Sequence, residues 1–202
     1  MSKGILYVVS APSGCGKGTI LDSVLRNNSN IYYSVSATTR FPREGEEDGK
    51  NYFFYSQDEF NKLIENDGML EYASFCGNFY GTPRKQVEEK LEQGFDVILE
   101  IETNGAMQIK KNLPEAVMIF ILPPSIGELR RRLFKRRTEN EEVIEKRLAE
   151  SKREILLASE YDYIMVNAEL EKAISDFEAI LTASKFSKNK NKNKINEVLN
   201  NA

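Results

Sequence analysis

Residues 10–19 read S-A-P-S-G-C-G-K-G-T, a glycine-rich segment that contains one lysine. Glycines let the backbone turn so that successive N–H groups converge on one point, and the Lys17 ammonium adds a positive charge there. Such a loop binds a chain of phosphates when it joins a buried strand to the first turn of a helix. An apolar run precedes the segment and a helical pattern follows it. We therefore predict that this phosphate loop, residues 11–19, holds the phosphates of a nucleoside triphosphate; the alternative is a tight turn without a ligand.

The phosphate loop departs at two positions from the general pattern G-x-x-x-x-G-K-[ST]. Ala11 replaces the first glycine, and Gly18 stands where a hydroxyl commonly holds Mg²⁺. Thr19 follows and is a candidate ligand for that metal, directly or through water. Cys15 lies at the predicted helix N-terminus near Lys17, which predicts a lowered pKa and a reactive thiol. The residues predicted to surround the phosphates are Ala11, Pro12, Ser13, Gly14, Cys15, Gly16, Lys17, Gly18 and Thr19.

A second cationic motif, S-A-T-T-R-F-P-R-E-G-E-E-D-G-K-N-Y-F-F, spans residues 36–54. It places Arg40 and Arg43 on either side of a turn that Pro42 stiffens, with Tyr52 further along the same motif. The planar fork of an arginine matches a phosphate group, and a tyrosine hydroxyl is a further donor. The motif therefore predicts a second phosphate site; the alternative is a solvated turn that carries surface arginines.

Hydrophobic periodicity predicts the elements that must position these motifs. Continuous apolar runs rich in β-branched and aromatic residues predict buried strands at residues 5–10, 95–101, 117–122 and 163–166. Helical patterns separate the runs, so we predict an α/β fold with a parallel sheet flanked by helices. Residues 31–80 break this alternation and predict an inserted mixed β segment with a single short helix.

Polar residues at fixed spacing predict where several helices begin. Pro83 is predicted at the first helical position after Thr82, and Gly94 is predicted to end that helix. Capping boxes, in which a hydroxyl residue is followed three positions later by a glutamate, are formed by Ser56 with Glu59, Ser125 with Glu128, and Thr138 with Glu141.

Composition excludes several classes of function. The chain has 202 residues and no histidine, so every mechanism that needs an imidazole is excluded. The two cysteines are far apart in sequence, which fits a reducing compartment, and we expect a cytoplasmic protein. A net charge of −3 argues against a dedicated nucleic-acid binder. No apolar run approaches the ~18 residues of a membrane span, so no membrane partner is expected.

From about residue 4 to residue 185 the chain resembles the guanylate kinase family. The family motif S-x-T-T-R-x-P-R-x-G-E-x-x-G-x-x-Y-x-F is present without a gap over residues 36–54, and G-M-L-E-Y-A at residues 68–73 and G-N-F-Y-G-T-P at residues 77–83 match two further motifs. The resemblance implies transfer of the γ-phosphoryl group of ATP to GMP, giving ADP and GDP.

It also implies a P-loop nucleoside monophosphate kinase-like architecture. Its expected parts are a core of residues 1–34 and 83–185, a GMP-binding insertion of residues 35–82, and a lid of residues 134–147 within the core; residues 186–202 are predicted to be a disordered tail.

The resemblance also implies roles for individual residues. The GMP phosphate would be held by Arg40, Arg43, Tyr52 and Tyr80, and the guanine by Ser36, Glu71, Thr82 and Glu102, where Glu102 replaces the family's more common aspartate. Carboxylates suit guanine because its N1–H and N2–H₂ groups are donors. The catalytic residues would be Lys17, Arg40, Arg136 and Arg147. Asn167 would lie near the adenine of ATP. At the end of a predicted strand, Glu100 is a candidate Mg²⁺ ligand, with a buried structural acid as the alternative.

Other interpretations of these residues stay open. Glu71 in isolation fits a surface acid, Thr82 fits a helix N-cap, and Asn167 fits a turn at a strand end. The cationic run over residues 130–137 fits a solvated helix or an RNA-binding patch as well as a lid. A non-catalytic interaction module and a kinase for another phosphorylated acceptor are the alternative functions, and the oligomeric state is not predicted.

Overall fold

The computed structural model describes residues 3–135, 141–188 and 190–200. Within them the strands are β1 Leu6–Ser10, β2 Ile31–Tyr33, β3 Ala37–Thr38, β4 Phe53–Phe54, β5 Met69–Phe75, β6 Asn78–Pro83, β7 Asp96–Glu100, β8 Val117–Leu122 and β9 Tyr163–Val166. The α-helices are α1 Lys17–Asn27, α2 Gln57–Glu65, α3 Arg84–Glu92, α4 Thr103–Asn112, α5 Ile126–Lys135, α6 Glu141–Leu156, α7 Leu170–Ser184 and α8 Lys192–Asn200. A 3₁₀ helix, Leu157–Glu160, follows α6.

The predicted parallel sheet is confirmed. It has five strands in the order β2-β7-β1-β8-β9. The pairs β1–β7, β2–β7 and β8–β9 are parallel. Every residue of β1 is buried, which explains why this strand is a continuous apolar run rather than an alternating one.

The second sheet contains the remaining strands and has the order β4-β3-β6-β5. β3 is parallel to β4 and antiparallel to β6, while β5 and β6 form an antiparallel hairpin. Ala37, Phe60 and Met69 are buried together, so α2 packs its Phe60 on this sheet. The predicted mixed β segment with one helix is therefore present, and its capping box of Ser56 with Glu59 is confirmed. Only β2, at the start of the segment, belongs to the five-stranded sheet.

The chain divides into two compact units. The first consists of Met1–Ser10 and Asn28–Met118, and the second of Ala11–Asn27 and Ile119–Ala202. In the first unit, β1 and β7 are neighbours and α4 packs on β5. In the second unit, α1 packs on α7, and Leu129, Leu133, Ile144 and Leu148 form the core between α5 and α6.

The structure differs from the sequence predictions at two element boundaries. Pro83 is the N-cap of α3 rather than its first residue, because Pro83 still pairs with Met69 at the end of β6. The tail contains the helix α8, where no regular structure was predicted. The spacing of Ile195, Val198 and Leu199 is helical, although no residue of α8 is buried. Thr138, the proposed first member of the capping box with Glu141, lies outside the described residues.

No helix in the described part of the chain combines the length and the apolar character that a membrane crossing requires.

Candidate active site

The phosphate loop has the backbone geometry that its glycines predicted. It follows β1, and Gly14 and Gly16 adopt positive φ angles of 86° and 91°. Between them, the Cys15 N–H donates to the Pro12 carbonyl at 3.1 Å and closes a tight turn. α1 then begins at Lys17, so the N–H groups at the N-terminus of this helix follow the loop directly. The arrangement provides a set of converging donors for an anion.

The two departures from the general loop pattern cause no strain. Among the described residues, the only non-glycine residues with a positive φ are Asp67 and Cys76, so Ala11 occupies a conformation that any residue adopts. A Cβ at Gly18 would meet no atom within 4 Å. A glycine at position 18 is therefore not required by packing, and Thr19 presents an exposed hydroxyl one residue later.

Two side chains from distant parts of the sequence hold the loop from behind. Asn167 Nδ2 donates to the Cys15 carbonyl at 2.7 Å, and Arg132 Nη1 donates to the same carbonyl at 3.2 Å. Arg132 Nη2 also donates to the Asn167 carbonyl at 3.0 Å, and its Nε donates to Glu128 at 2.8 Å. Arg132 was not predicted from the sequence as a residue of the site. Its position three residues after the buried Leu129 was the available signal, because residues i and i+3 share a helix face.

Arg147, one of the predicted catalytic residues, reaches the phosphate loop from α6. Its Nη2 donates to Ser13 Oγ at 2.7 Å. Arg136, the other arginine expected in this role from the cationic run, lies outside the described residues.

The predicted reactivity of Cys15 is wrong. The thiol is 1% exposed and its Sγ donates to the Ile121 carbonyl at 3.4 Å. Burial raises the pKa of Cys15 to about 12 and outweighs the opposing effects of Arg132 and Lys17. A thiol in this state is not a nucleophile at neutral pH.

On the second sheet the structure brings together most of the residues predicted to bind a phosphate. Both terminal nitrogens of Arg40 donate to the Glu46 carboxylate, each at 3.0 Å. The Arg40 guanidinium lies 5.4 Å from the centre of the Tyr52 ring and within hydrogen-bonding reach of Tyr80. The rings of Tyr52 and Tyr80 are 6.1 Å apart. Arg43 is exposed at the edge of this cluster, and its N–H donates to Glu46 at 2.8 Å.

Glu46 is a second residue of the site that was not predicted from the sequence. It accepts hydrogen bonds from Arg40 and from the backbone of Arg43, and these bonds hold the pKa of Glu46 below its ordinary value. Its position three residues after Arg43 was the local signal, because the Glu46 N–H also closes this turn onto the Arg43 carbonyl. Glu46 therefore holds the Arg40 guanidinium and the Arg43 backbone, while the Arg40 guanidinium also lies beside the Tyr52 ring.

Glu71 and Thr82 form a buried polar pair on neighbouring strands. Thr82 Oγ1 donates to Glu71 Oε1 at 2.7 Å, so the hydroxyl of Thr82 is not a helix cap. Glu71 is 6% exposed. Burial raises the pKa of Glu71; the hydrogen bond from Thr82 partly opposes this shift, and repulsion from Glu102 adds to it. Glu102 is exposed at the N-cap of α4.

Gly105 makes room for the Glu71 carboxylate and was not predicted. A Cβ on Gly105 would lie 2.4 Å from Glu71 Oε2 and 3.0 Å from its Cδ. Gln108, one turn further along α4, exchanges hydrogen bonds with both backbone groups of Tyr72, at 3.2 and 2.9 Å. Through these contacts β5 packs on α4, and the Glu71 side chain lies against Gly105, which has no side chain.

Glu100 ends β7 and accepts a hydrogen bond from the Tyr33 hydroxyl at 2.8 Å. Mg²⁺ bound with a nucleotide usually takes one or two protein oxygens, with phosphates and waters completing its shell. The Glu100 carboxylate and the Thr19 hydroxyl are each oxygen donors of this type, so each residue by itself fits that metal. In residues 3–135, 141–188 and 190–200, no cluster of three or more acidic, histidine or cysteine side chains forms a metal cage.

The remaining predicted residue, Ser36, lies between β2 and β3. Its carbonyl accepts a hydrogen bond from Phe53 N at 2.9 Å, which pairs it with β4.

Comparison with known proteins assigns this site to a family. The family model described as guanylate kinase matches residues 3–184. The chain belongs to the guanylate kinase family. A guanylate kinase from Desulfitobacterium hafniense (strain Y51) is 53% identical over 182 residues, covering 90% of this chain and 91% of that protein. One from Clostridioides difficile (strain 630) is 49% identical over 197 residues, covering 98% of this chain and 96% of that protein.

A solved structure agrees with this assignment. The crystal structure of guanylate kinase from Anaplasma phagocytophilum matches with a TM-score of 0.73 at 36% identity, covering 93% of this chain and 89% of that chain. The protein is therefore a transferase of the nucleoside monophosphate kinase type with guanylate kinase function.

Proposed function

We propose that this guanylate kinase binds the phosphates of ATP on the phosphate loop and GMP on the second sheet, and transfers the γ-phosphoryl group to give ADP and GDP. The observation that carries the GMP assignment is the buried Glu71–Thr82 pair on the same sheet as the Arg40, Tyr52 and Tyr80 cluster. One end of this surface offers cationic and hydroxyl donors, and the other offers a carboxylate acceptor. A purine monophosphate whose base presents donors is complementary to both ends.

Strand register supports a single nucleotide spanning both ends. Tyr80 and Thr82 are two residues apart on β6, so their side chains lie on the same face, about 7 Å apart along the strand. Thr82 pairs with Glu71 on β5. On the other side, Thr38 pairs with Tyr80 and Ala37 with Gly81, and this register continues to place Ser36 opposite Thr82. The proposed base ligands thus converge at one position, and the proposed phosphate ligands at another.

The chemistry of the base explains the choice of GMP. An ionised carboxylate only accepts hydrogen bonds, and guanine presents N1–H and N2–H₂ on one edge. Adenine has an unprotonated N1 at that edge, which a carboxylate repels. An unmatched buried group costs roughly 1 to 3 kcal/mol, so the buried Glu71 would discriminate against AMP, with the exposed Glu102 as a further acceptor for guanine.

Phosphoryl transfer needs positioning and charge neutralisation more than proton chemistry, which suits a chain without histidine. In this proposal Lys17 and Arg147 neutralise the triphosphate, with Arg136 as a further catalytic arginine. Arg40 and Arg43 orient the GMP phosphate, with Tyr52 and Tyr80 as additional ligands. Mg²⁺, bound with ATP and held by Thr19 and Glu100 directly or through water, would neutralise phosphate charge.

The proposal also assigns parts of the chain. Residues 35–82 would form the GMP-binding domain, residues 1–34 and 83–185 the core, and residues 134–147 a lid that excludes water during transfer. The two free cysteines support a cytoplasmic location.

The test is a comparison of acceptors. Purified protein is incubated with ATP and Mg²⁺ and with GMP, AMP, UMP or a ribose phosphate, and nucleoside diphosphate formation is measured. We expect rapid turnover with GMP and at least about fivefold lower kcat/KM with AMP, because one unmatched buried group, the Glu71 carboxylate, costs at least about 1 kcal/mol. Equal turnover of AMP and GMP would contradict the proposed base ligands.

A further inference from the structure

We propose that Asn167 is a positioning residue of the phosphate loop: together with Arg132 it fixes the Cys15–Gly16 peptide so that the Gly16 N–H points toward the phosphates of ATP. The inference rests on the proposed binding of ATP phosphates to this loop. It assigns Asn167 a role that does not depend on the adenine base.

The Cys15 carbonyl is held by two donors that belong to different elements. Asn167 Nδ2 lies 2.7 Å from this oxygen and Arg132 Nη1 lies 3.2 Å from it. Asn167 is itself fixed, because it is 6% exposed and its N–H donates to the Leu122 carbonyl at 2.8 Å. That bond continues the parallel pairing of β8 with β9, in which Leu122 faces Val166. The side chain of Asn167 therefore projects from the rigid end of the sheet rather than from a loose turn.

Peptide planarity transmits this constraint to the loop. In a trans peptide the C=O and the following N–H point in opposite directions, and no peptide bond among the described residues is cis. When Asn167 and Arg132 hold the Cys15 carbonyl toward the protein, the Gly16 N–H must point away from them, to the open side of the loop. Within the described residues, no acceptor satisfies this N–H.

The contact with Asn167 gives a second reason why residue 16 is a glycine, in addition to its positive φ of 91°. A Cβ at Gly16 would lie 2.6 Å from Asn167 Nδ2. The amide of Asn167 thus occupies the space that a side chain would need. The phosphate loop and the end of β9 are therefore complementary. The loop supplies the Cys15 carbonyl and the space beside Gly16, and Asn167 supplies the amide donor that occupies this space.

The first test replaces the donor by an acceptor of the same shape. In Asn167→Asp, a carboxylate oxygen would face the Cys15 carbonyl at the same short distance, and the repulsion would rotate the peptide. We expect kcat/KM for ATP to fall at least about tenfold, since small misplacements of a binding group have effects of this size or larger. The KM for GMP should stay within about twofold, which also reports that the variant is folded.

A matched control exists at the C-cap of α2. Asn66 Nδ2 donates to the Lys62 carbonyl at 2.7 Å, the same distance and the same kind of bond. Asn66→Asp introduces the same charge at a position that no proposed ligand touches, and its kinetics should equal those of the wild type. If Asn66→Asp lowered kcat/KM for ATP as much as Asn167→Asp does, the specific role of Asn167 would be refuted.

A probe without a base separates loop positioning from an adenine contact. Inorganic tripolyphosphate is tested as a competitive inhibitor against ATP, and its Ki is compared between wild type and Asn167→Asp. Positioning of the loop predicts that the tripolyphosphate Ki and the KM for ATP rise by similar factors. A raised KM for ATP with an unchanged Ki would mean that Asn167 contacts the base, and would overturn the inference.

The tripolyphosphate experiment also separates failure of the proposed function from failure of this inference. If tripolyphosphate fails to compete with ATP on the wild type, the proposed function of the loop fails together with this inference. If it competes with equal Ki values in both proteins, only the inference is refuted. If Asn167→Asp does not fold, Arg132→Met removes the second donor while keeping an apolar stem. That variant should raise both constants in parallel, by a smaller factor because its hydrogen bond is the longer one, and unchanged constants would refute the inference.

Discussion

The Thr82 hydroxyl donates a 2.7 Å hydrogen bond to the Glu71 carboxylate, and both side chains are buried between β5, β6 and the first turn of α4. A buried carboxylate with one donor is costly for the folded protein, and this cost appears as a raised pKa of Glu71. The negative charge of Glu71, the proposed guanine ligand, therefore destabilises the protein as long as no base with N–H donors is bound. Function and stability oppose each other at this residue.

Glu71→Gln is expected to stabilise the fold and weaken GMP binding. The pKa of Glu71 is raised in the folded state, so the folded state binds more protons than the unfolded chain, and stability falls as pH rises above the ordinary glutamate pKa. The Gln variant lacks this titration. Its melting temperature should exceed that of the wild type at pH 7.5, and the difference should shrink toward pH 4.

The same variant should raise the KM for GMP about tenfold or more, because a charge-assisted acceptor for N1–H or N2–H₂ is lost. Thermal unfolding at several pH values and GMP kinetics at pH 7.5 measure the two effects. A melting temperature below that of the wild type at pH 7.5 would contradict the argument that the Glu71 charge destabilises the fold.

Gly105→Ala is expected to damage GMP recognition without weakening ATP binding. The new Cβ would meet Glu71 Oε2 at 2.4 Å and displace the carboxylate. Alanine favours the helix by up to about 1 kcal/mol, so a general loss of helix stability would not account for the defect. We expect the KM for GMP to rise roughly tenfold and the KM for ATP to stay unchanged.

Gly127→Ala in the first turn of α5 is the matched control, since its Cβ would meet only Ser125 Oγ, at 3.8 Å. It should leave both KM values unchanged. Combining Gly105→Ala with Glu71→Gln should add little further loss if the glycine acts through Glu71. Additive losses in the double variant would show that Gly105 acts independently.

Arg40→Lys tests the two-pronged geometry of the proposed phosphate site. Lysine keeps the charge but loses the planar fork that now donates twice to Glu46. The KM for GMP should rise at least about tenfold, whereas inhibition by guanosine, which lacks the phosphate, should be unaffected. Arg84→Lys is the control, because Arg84 also donates from two nitrogens, to the Asp67 carbonyl and carboxylate. Weaker guanosine inhibition in Arg40→Lys would place the arginine at the base instead.

The cysteines should differ sharply in reactivity. Cys76 is exposed, and the pKa of Cys15 is raised to about 12 by burial. Titration of native protein with a thiol reagent at pH 8 should therefore modify Cys76 rapidly and leave Cys15 intact, and denaturation should release the second thiol. The fraction of Cys15 present as thiolate should become appreciable only as the pH approaches its raised pKa. Rapid modification of Cys15 in the native protein would refute its burial.

Tyr33→Phe tests whether Glu100 is oriented for a metal. The Tyr33 hydroxyl donates to Glu100 Oε2 at 2.8 Å from the neighbouring strand. Without it the carboxylate has more rotational freedom, and the enhancement of ATP binding by Mg²⁺ should fall several-fold by calorimetry. ATP binding without metal should not change. If Mg²⁺ enhances ATP binding equally in both proteins, Tyr33 does not act through Glu100.

Local signals were sufficient for much of the fold and for the identity of the loop. The apolar runs predicted β8 and β9 at their observed bounds. The reason is clear for β8, whose central residues are all buried, because a strand buried on both faces must be apolar throughout. The capping box at Ser56 depends on residues three positions apart, so it was visible without tertiary information. The glycine pattern of residues 11–19 likewise specified the positive φ angles of its turn.

Tertiary structure decided the environment of each chemical group. Arg132 and Asn167 reach the Cys15 carbonyl from 117 and 152 residues away, and no local pattern reports a contact set by the order of the strands. The same packing buries Cys15 and so reverses the direction of its predicted pKa shift, since desolvation depends on what surrounds a group and not on its neighbours in sequence. By itself, the amino-acid sequence determined which donors and acceptors this kinase carries; the folded chain decided which of them face each other and which are charged.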